Sequence, residues 1–415
     1  MNHPFTSALQ PVAVFSLTSS LHDPATVDEA TRQFLSTLAV NYEWHGDDYQ
    51  SYGSHSLDVI FVRTGGTEGL FRQLLPQLQR QSGRPFRLLT SGQSNSLAAS
   101  MEILSFLRQQ GLKGEIIHGN TAYVNRRLTV LAAVGEAVGG LRGTRLGIIG
   151  PPSDWLISSH VDAAVPQRAL GITLEEIGIG ELVEAVGNVR DDNDAWLEGL
   201  SETTEAVRKA VPGAMKIYHA LRAIVERHRL NGFTLRCFDL LTALKNTGCA
   251  ALARLNGEGI VAGCEGDVPA MLTMHVAQHL TGMTGFQANP ATIDPATGEL
   301  LMAHCTIPLN LVERYELDTH FESGIGVAIR GYMKEGAVTI FKLSPDLRRH
   351  FVAEGTLVRN QAEPNLCRTQ QVIRLADKSQ AAYFLTRPIG NHHIVLPGHH
   401  GDLLRAFLQE TIAEE

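Results

Sequence analysis

Two carboxylates and a handful of imidazoles stand where this chain could do chemistry. Glu265 and Asp267 lie in GCEGDVPAMLTMHVAQHLTG, where the hydrophobic period changes. Residues 259–264 are a short apolar run of strand length, and from Val268 onward Met271, Leu272, Val276 and Leu280 share one helical face. Glu265 therefore ends a strand, at the edge of an open α/β sheet where strand ends and helix starts form ligand crevices. A carboxylate there is suited to proton transfer or to holding a cation. Asp267, two residues before Pro269, is equally well placed to cap the following helix. Asp239, in RCFDLL at another strand end, either lines the same crevice or caps its own helix.

The imidazoles come in two segments. His304 stands inside the apolar LLMAHCTIPLNL, and His392, His393, His399 and His400 crowd into GNHHIVLPGHHGDL. A lone histidine in an apolar segment usually serves the core. Carboxylates joined by neutral imidazoles without cysteine are nonetheless the donor set of a divalent ion such as Mn2+, Mg2+ or Co2+. Alternation turns His392 and His393 to opposite faces of a strand, so at most one reaches a given site.

These residues must be positioned by a layered α/β scaffold. DVIFVRT, RLLTSG and GEIIHG read as strands, and Leu97, Met101, Leu104 and Leu107 mark a helix stopped by Gly111. The sheet is expected to be parallel. A second unit begins near Gly143 with RLGIIGPPSDWLI, in the format strand, Gly-Pro-Pro turn, helix entry. Residues 171–258 are helical in period, broken by the strand FTLRCF and ending in one helix over 240–255. After Gly282 short alternating segments take over: GAVTIFKLS, GTLVRN, QQVIRLAD, AYFLTRP and HHIVLPG. They predict a mainly β barrel or sandwich, closed by a helix over DLLRAFLQETIAEE. The expected domains are 1–142, 143–282 and 283–415. Polar loops follow two strands of the first: RTGGTE, with Arg63, and SGQSNS, with Gln93 and Asn95. Such loops grip hydroxyls or anions through backbone N–H groups, or are only turns.

Composition narrows the partners. At 415 residues, 44% hydrophobic and 19% charged, the chain can bury more than one core. Its formal charge of −8, without a basic run, argues against nucleic acid. The first twenty residues lack a charged-then-apolar leader, and no segment approaches a membrane span, so a cytoplasmic protein is expected. Five cysteines without a CxxC pair suit reduced thiols.

CEGDVPAMLTMHVAQHLTGMTGFQAN, AHCTIP and GNHHIVLPGHHGDL together resemble the L-fucose isomerase/L-arabinose isomerase superfamily, most closely over residues 236–309 and 389–403. The resemblance implies two Rossmann-like α/β domains followed by a barrel-like β domain. It also implies Mn2+-dependent aldose–ketose isomerisation through an enediol, in a homo-oligomer whose subunits share active sites. On this pattern Glu265 is the first metal ligand and the acid/base group, and His304 and His392 are imidazole ligands, with His393 as the alternative to His392. The second acidic ligand falls on Asn289, whose amide oxygen can coordinate but cannot act as a base. The other acid/base group is then sought among Asp239, Asp267 and Glu322. His320 and Glu322, in DTHFESGIGVAIRG, with His393, His399, Arg63, Gln93 and Asn95, are the candidate contacts to a sugar. Epimerisation or aldol cleavage would use the same platform. A sugar-binding or regulatory protein that has lost turnover is the rival from a different class.

Overall fold

A computed structural model describes residues 9–190 and 204–411. Two compact units emerge, Met1–Gly139 with Ala406–Glu410, and Gly140–Arg405 with Thr411–Glu415.

The first unit holds β1 (Val12–Leu17), α1 (Pro24–Leu35), β2 (Tyr42–Gly46), β3 (Asp58–Val62), α2 (Glu68–Gln81), β4 (Phe86–Leu89), α3 (Ser96–Gln109), β5 (Gly114–Ile117) and most of α4 (Thr121–Leu141). The strands form one parallel sheet in the order β2-β1-β3-β4-β5. β1, β3 and β4 are buried along their whole length because both faces are covered, whereas β2 is an exposed edge strand. Ala13, Phe15, Ile60 and Val62 pack with Phe71, Leu75 and Ile103 on one face. Val12, Val14, Val59 and Phe61 pack with Leu35, Leu128 and Leu131 on the other.

The second unit opens with β6 (Arg145–Ile149), α5 (Ala164–Leu170), β7 (Thr173–Ile177), α6 (Ile179–Asn188), α7 (Glu205–His228), β8 (Gly232–Leu235), α8 (Asp239–Ala243), α9 (Cys249–Gly257), β9 (Val261–Cys264) and α10 (Val268–Thr281). Its sheet is parallel, ordered β7-β6-β8-β9. The single helix expected over 240–255 is two, α8 and α9. Lys245 takes a left-handed φ of 52°, and the Asn246 side chain accepts from Thr247 N at 2.8 Å while donating to Ala210 O at 2.7 Å. An asparagine that bonds the backbone in this way competes with helix hydrogen bonding.

The chain then makes β10 (Phe286–Asp294), β11 (Glu299–His304), β12 (Val312–Asp318), β13 (Ala328–Met333), β14 (Gly336–Leu343), β15 (His350–Gln361), β16 (Thr369–Leu375), α11 (Ala381–Thr386), β17 (His393–Pro397) and α12 (Gly401–Thr411). Six of these strands close an antiparallel barrel in the order β10-β11-β16-β15-β14-β17, and β12 and β13 form a separate ribbon. AYFLTRP, expected as a strand, is the helix α11. Ala381 and Phe384, three residues apart, bury one helical face, and Tyr383 stacks on Phe351 at 3.9 Å. The C-terminal residues 412–415 of the predicted last helix, the stretch 191–203 and the first eight residues lie outside the described residues. Among those described, no helix is long and apolar enough to cross a membrane.

Three bonds tie the barrel to β9 and α10, the elements on either side of Glu265. Gln287 of β10 accepts from Cys264 N at 2.9 Å and donates to Cys264 O at 3.3 Å. Leu343 N of β14 donates to Thr273 Oγ1 of α10 at 3.1 Å.

Candidate active site

The end of β9 is a strained corner. Glu265 has φ 64° and Gly266 φ 70°, and a non-glycine residue held there costs on the order of 1–3 kcal/mol. The neighbouring strand ends over-determine it. Ser153 N donates to Glu265 O at 2.9 Å, and Gly266 N donates to Leu235 O at 2.9 Å. A side chain at Gly266 would meet Pro151 O and Pro152 Cα at 2.8 Å. The Gly-Pro-Pro turn after β6 thus fits only a glycine here, and its packing presents Glu265 inward.

Two imidazoles from the barrel converge on that carboxylate. His304 ends β11 and His392 immediately precedes β17, and the Nε2 of each lies 3.5 Å from Glu265 Oε1. One ligand atom from each of the three residues lies within 4.8 Å of the others, and all three residues are buried. The far nitrogens are held as well. His304 Nδ1 pairs with Thr306 Oγ1 at 3.0 Å, and His392 Nδ1 with Asp267 Oδ2 at 2.8 Å. An ionised carboxylate only accepts, so Asp267 keeps the His392 proton on Nδ1 and turns Nε2 toward Glu265. Asp267 also caps α10, accepting from Ala270 N at 2.8 Å, so its two oxygens serve the helix and the imidazole at once.

The charges here form a network. Burial alone would raise the Glu265 pKa, but hydrogen bonds from His304 and His392, and their charge, hold it far below the usual carboxylate range. Burial pulls His392 down, yet its bonds to Asp267 and Glu265 lift it to about 9. His304 is lowered, chiefly by burial. For Asp267, burial is outweighed by the charge of Lys342 and the His392 bond, so its carboxyl is lowered. Lys342 lies in β14 with its Nζ 4.0 Å from Asp267 Oδ2, and burial lowers it.

His392 Nε2, 3.5 Å from Glu265 Oε1, makes no hydrogen bond of ordinary geometry, and Asn289 Oδ1 on β10 is likewise buried without a partner among the described residues. Leaving such an atom unsatisfied costs about 1–3 kcal/mol. Both are lone-pair donors when His392 is neutral. The buried carboxylate of Glu265 and the two imidazoles fit a divalent cation. Asn289 pairs across the ladder with Ala303, next to His304, and follows Ala288, which pairs with His393.

The other residues singled out by sequence are distributed differently. His393 turns away from the cluster: its Nε2 meets Tyr383 Oη at 2.9 Å, its Nδ1 meets Asn391 O at 3.0 Å, and its ring lies against Phe384. Strand alternation explains the split from His392. His399 is exposed, 3.6 Å from Glu354. His320 is buried, bonded through Nδ1 to Ser323 Oγ at 3.1 Å and set edge-on to Phe238. The charges of His304 and Glu265 both act on it, although burial does most to lower its pKa. Glu322 is exposed. Asp239 opens α8 and accepts from Arg236 Nε at 3.0 Å, and the same guanidinium donates to Pro152 O at 2.6 Å. In the first unit, Arg63 is committed to Thr31, Thr18 and Asp28, while Gln93 and Asn95 are exposed on a loop where Ser94 and Asn95 have positive φ.

Sequence reasoning missed Trp155 and Lys342. Trp155, in the loop after β6, is 51% exposed yet donates its indole N–H to Glu265 Oε2 at 2.6 Å. Its only signal was its place after a strand and a Pro-Pro turn. Lys342 is lost within the alternation of GAVTIFKLS, where an inward lysine looks like an outward one.

Residues 159–282 match the family model of the L-arabinose isomerase central domain. Two sulfoquinovose isomerases, from Alkalicoccus urumqiensis and Priestia megaterium, are 22% and 23% identical over 63% of this chain and 62% of their own length. A third, from Clostridium sp., is 26% identical over 44% of this chain and 42% of its own length. The chain thus spans less than two thirds of the curated relatives it matches. The matched segment ends with α10 and includes Glu265 and Asp267, and through these matches the chain is similar to the arabinose/fucose isomerase-like superfamily.

Proposed function

We propose that the protein is a metal-dependent aldose–ketose isomerase, acting on a sugar or modified sugar through an enediol intermediate. The observation that carries this reading is the buried meeting of Glu265, His304 and His392 with Asp267 behind it. Isomerisation moves a proton between adjacent carbons, which calls for a base and for an electrophile at the oxygens. Glu265 is the proposed metal ligand and base, oriented by Trp155. His304, His392 and Asn289 complete the ligand set. Bound Mn2+, or Mg2+ or Co2+ in its place, would supply the Lewis acid that stabilises the enediolate oxygens. Asp267 orients His392 and is the nearer candidate for the second acid/base group. Asp239, engaged by Arg236, and the exposed Glu322 are the others. His320 is the favoured sugar contact beside the cluster.

We read the parallel sheets as two Rossmann-like domains, 1–142 and 143–282, and 283–415 as the barrel domain. A cytoplasmic homo-oligomer with shared sites completes the proposal, with Arg63, Gln93 and Asn95 as contacts supplied by the first domain. The relatives' names make a sulfonated hexose the first substrate to try.

Asn289 favours a second reading, because a neutral amide where a carboxylate is expected weakens both the metal and the acid/base set. A binding or regulatory protein would follow. The test is C2–H exchange: Mn2+-loaded protein is incubated in D2O with sulfoquinovose, a pentose and a deoxyhexose, and followed by NMR. Deuterium at C2 together with the ketose product supports the isomerase. Retained metal with no exchange on any sugar contradicts it and supports the binding protein. An epimer or a cleavage product would redirect the reading to those enediolate reactions.

A further inference from the structure

The first unit carries a second cluster with metal-ligand chemistry. Glu43 and His45 lie two residues apart on β2, on one face of the edge strand of the first sheet. His55 comes from the segment before β3. One ligand atom from each lies within 4.8 Å of the others. The two imidazole centroids are 5.0 Å apart, and Phe15 packs against both, at 4.8 Å from His45 and 6.1 Å from His55. That packing fixes the rings before anything binds.

The outward nitrogens are prepared as a metal centre would require. His55 Nδ1 bonds Asp58 Oδ1 at 2.8 Å, an arrangement that leaves Nε2 with the lone pair and makes it more basic. His45 Nδ1 approaches Ser51 Oγ at 3.4 Å. His45 Nε2 is buried with no hydrogen-bond partner among the described residues, and Glu43 Oε2 stands 3.9 Å from it. Asp58 is held by burial above its ordinary pKa, against the pull of His55. The nearby cations are occupied elsewhere: Arg84 donates to the carbonyls of His55 and Ser56, and Arg63 pairs with Asp28.

We propose that Glu43, His45 and His55 form a binding site for a zinc-type divalent transition-metal ion, with Asp58 orienting His55. Two imidazoles and one carboxylate suit Zn2+ rather than Mg2+ or Ca2+, and leave a fourth tetrahedral position open to water or a further ligand. Bonds of about 2.0–2.2 Å bring tetrahedral ligand atoms to roughly 3.3–3.5 Å apart, so the cluster must tighten by about 1.3 Å. Glu43 can make that movement, because its side chain is 60% exposed. The ion would tie edge strand β2 to the segment that leads into β3, guarding an otherwise unpaired edge.

The test uses the full chain, stripped with chelator and dialysed against buffered Zn2+, with bound metal counted per chain. Wild type is expected to hold one ion more than His45→Asn, and Asp58→Asn to weaken that ion's affinity about 10–100-fold. His304→Asn is expected to keep it. Glu43→Gln, at an exposed position where folding is safe, is expected to weaken it at least tenfold by titration and to reduce the Zn2+-induced rise in melting temperature. Unchanged affinity in Glu43→Gln, or unchanged stoichiometry in a folded His45→Asn, would overturn the site.

Discussion

The described residues contain the same donor set twice, a glutamate and two histidines, and the two copies differ in everything around the ligands. Glu265, His304 and His392 are buried, come from a parallel sheet and a barrel, and include a glutamate in a strained left-handed conformation. Glu43, His45 and His55 lie at a sheet edge, with the glutamate in solvent and unstrained ring packing behind. Ligand type makes a metal site; burial, strain and a supporting network of Asp267, Lys342 and Trp155 equip it for chemistry. The edge cluster has a supporting carboxylate in Asp58, itself under the charge of Arg84.

That contrast is broken most severely at Asp267. Asp267→Ala removes a helix cap, the acceptor for His392 and the counterion of a buried lysine. Unfolding free energy should fall by about 3–5 kcal/mol, as for other broken buried ion pairs, and Mn2+ affinity by about 10–100-fold. Urea denaturation and calorimetric titration check the two effects separately. Next in size, Trp155→Phe removes one hydrogen bond to an ionised group, worth about 1.5–3 kcal/mol. The proposed isomerase turnover should drop by roughly ten- to a hundredfold with the melting temperature unchanged, because the indole is half exposed. Equal loss of stability and turnover would mean that Trp155 is structural.

Asn289→Asp sharpens the comparison from the other side, since it adds the charge that the buried site lacks. Mn2+ should bind about tenfold more tightly. No tightening would remove Asn289 from the ligand set. The smallest effect is expected at His228, the last residue of α7 and a member of neither cluster. His228 is raised by its bonds to Glu181 and Glu175, so its contribution to stability is complete below about pH 6.5 and is lost as pH rises through the elevated folded-state value. His228→Gln should therefore lower the urea midpoint more at pH 6 than at pH 9. A difference of opposite sign would refute the ion-pair account.

Much of this site was legible in sequence for a local reason. The change of period at Cys264 locates Glu265 at a strand end, and alternation alone separates His392 from His393. What escaped depends on distance along the chain. Trp155 reaches Glu265 across 110 residues, and Lys342 faces Asp267 only because β14 closes the barrel beside β17. AYFLTRP was misread because six residues are too few for period 2 and period 3.6 to separate, and packing against Phe351 decided the matter. The break at Lys245 within the expected 240–255 helix likewise rests on a side chain, Asn246, bonding Ala210 from another helix.

The account's central claim is that Glu265 anchors a divalent cation between His304 and His392. Calorimetric titration of chelator-treated protein with Mn2+, wild type against Glu265→Gln, tests it directly, with circular dichroism confirming that both are folded. The account predicts one Mn2+ bound by wild type at this centre and an affinity at least about a hundredfold weaker in the variant. Equal Mn2+ affinity in the two folded proteins would contradict it.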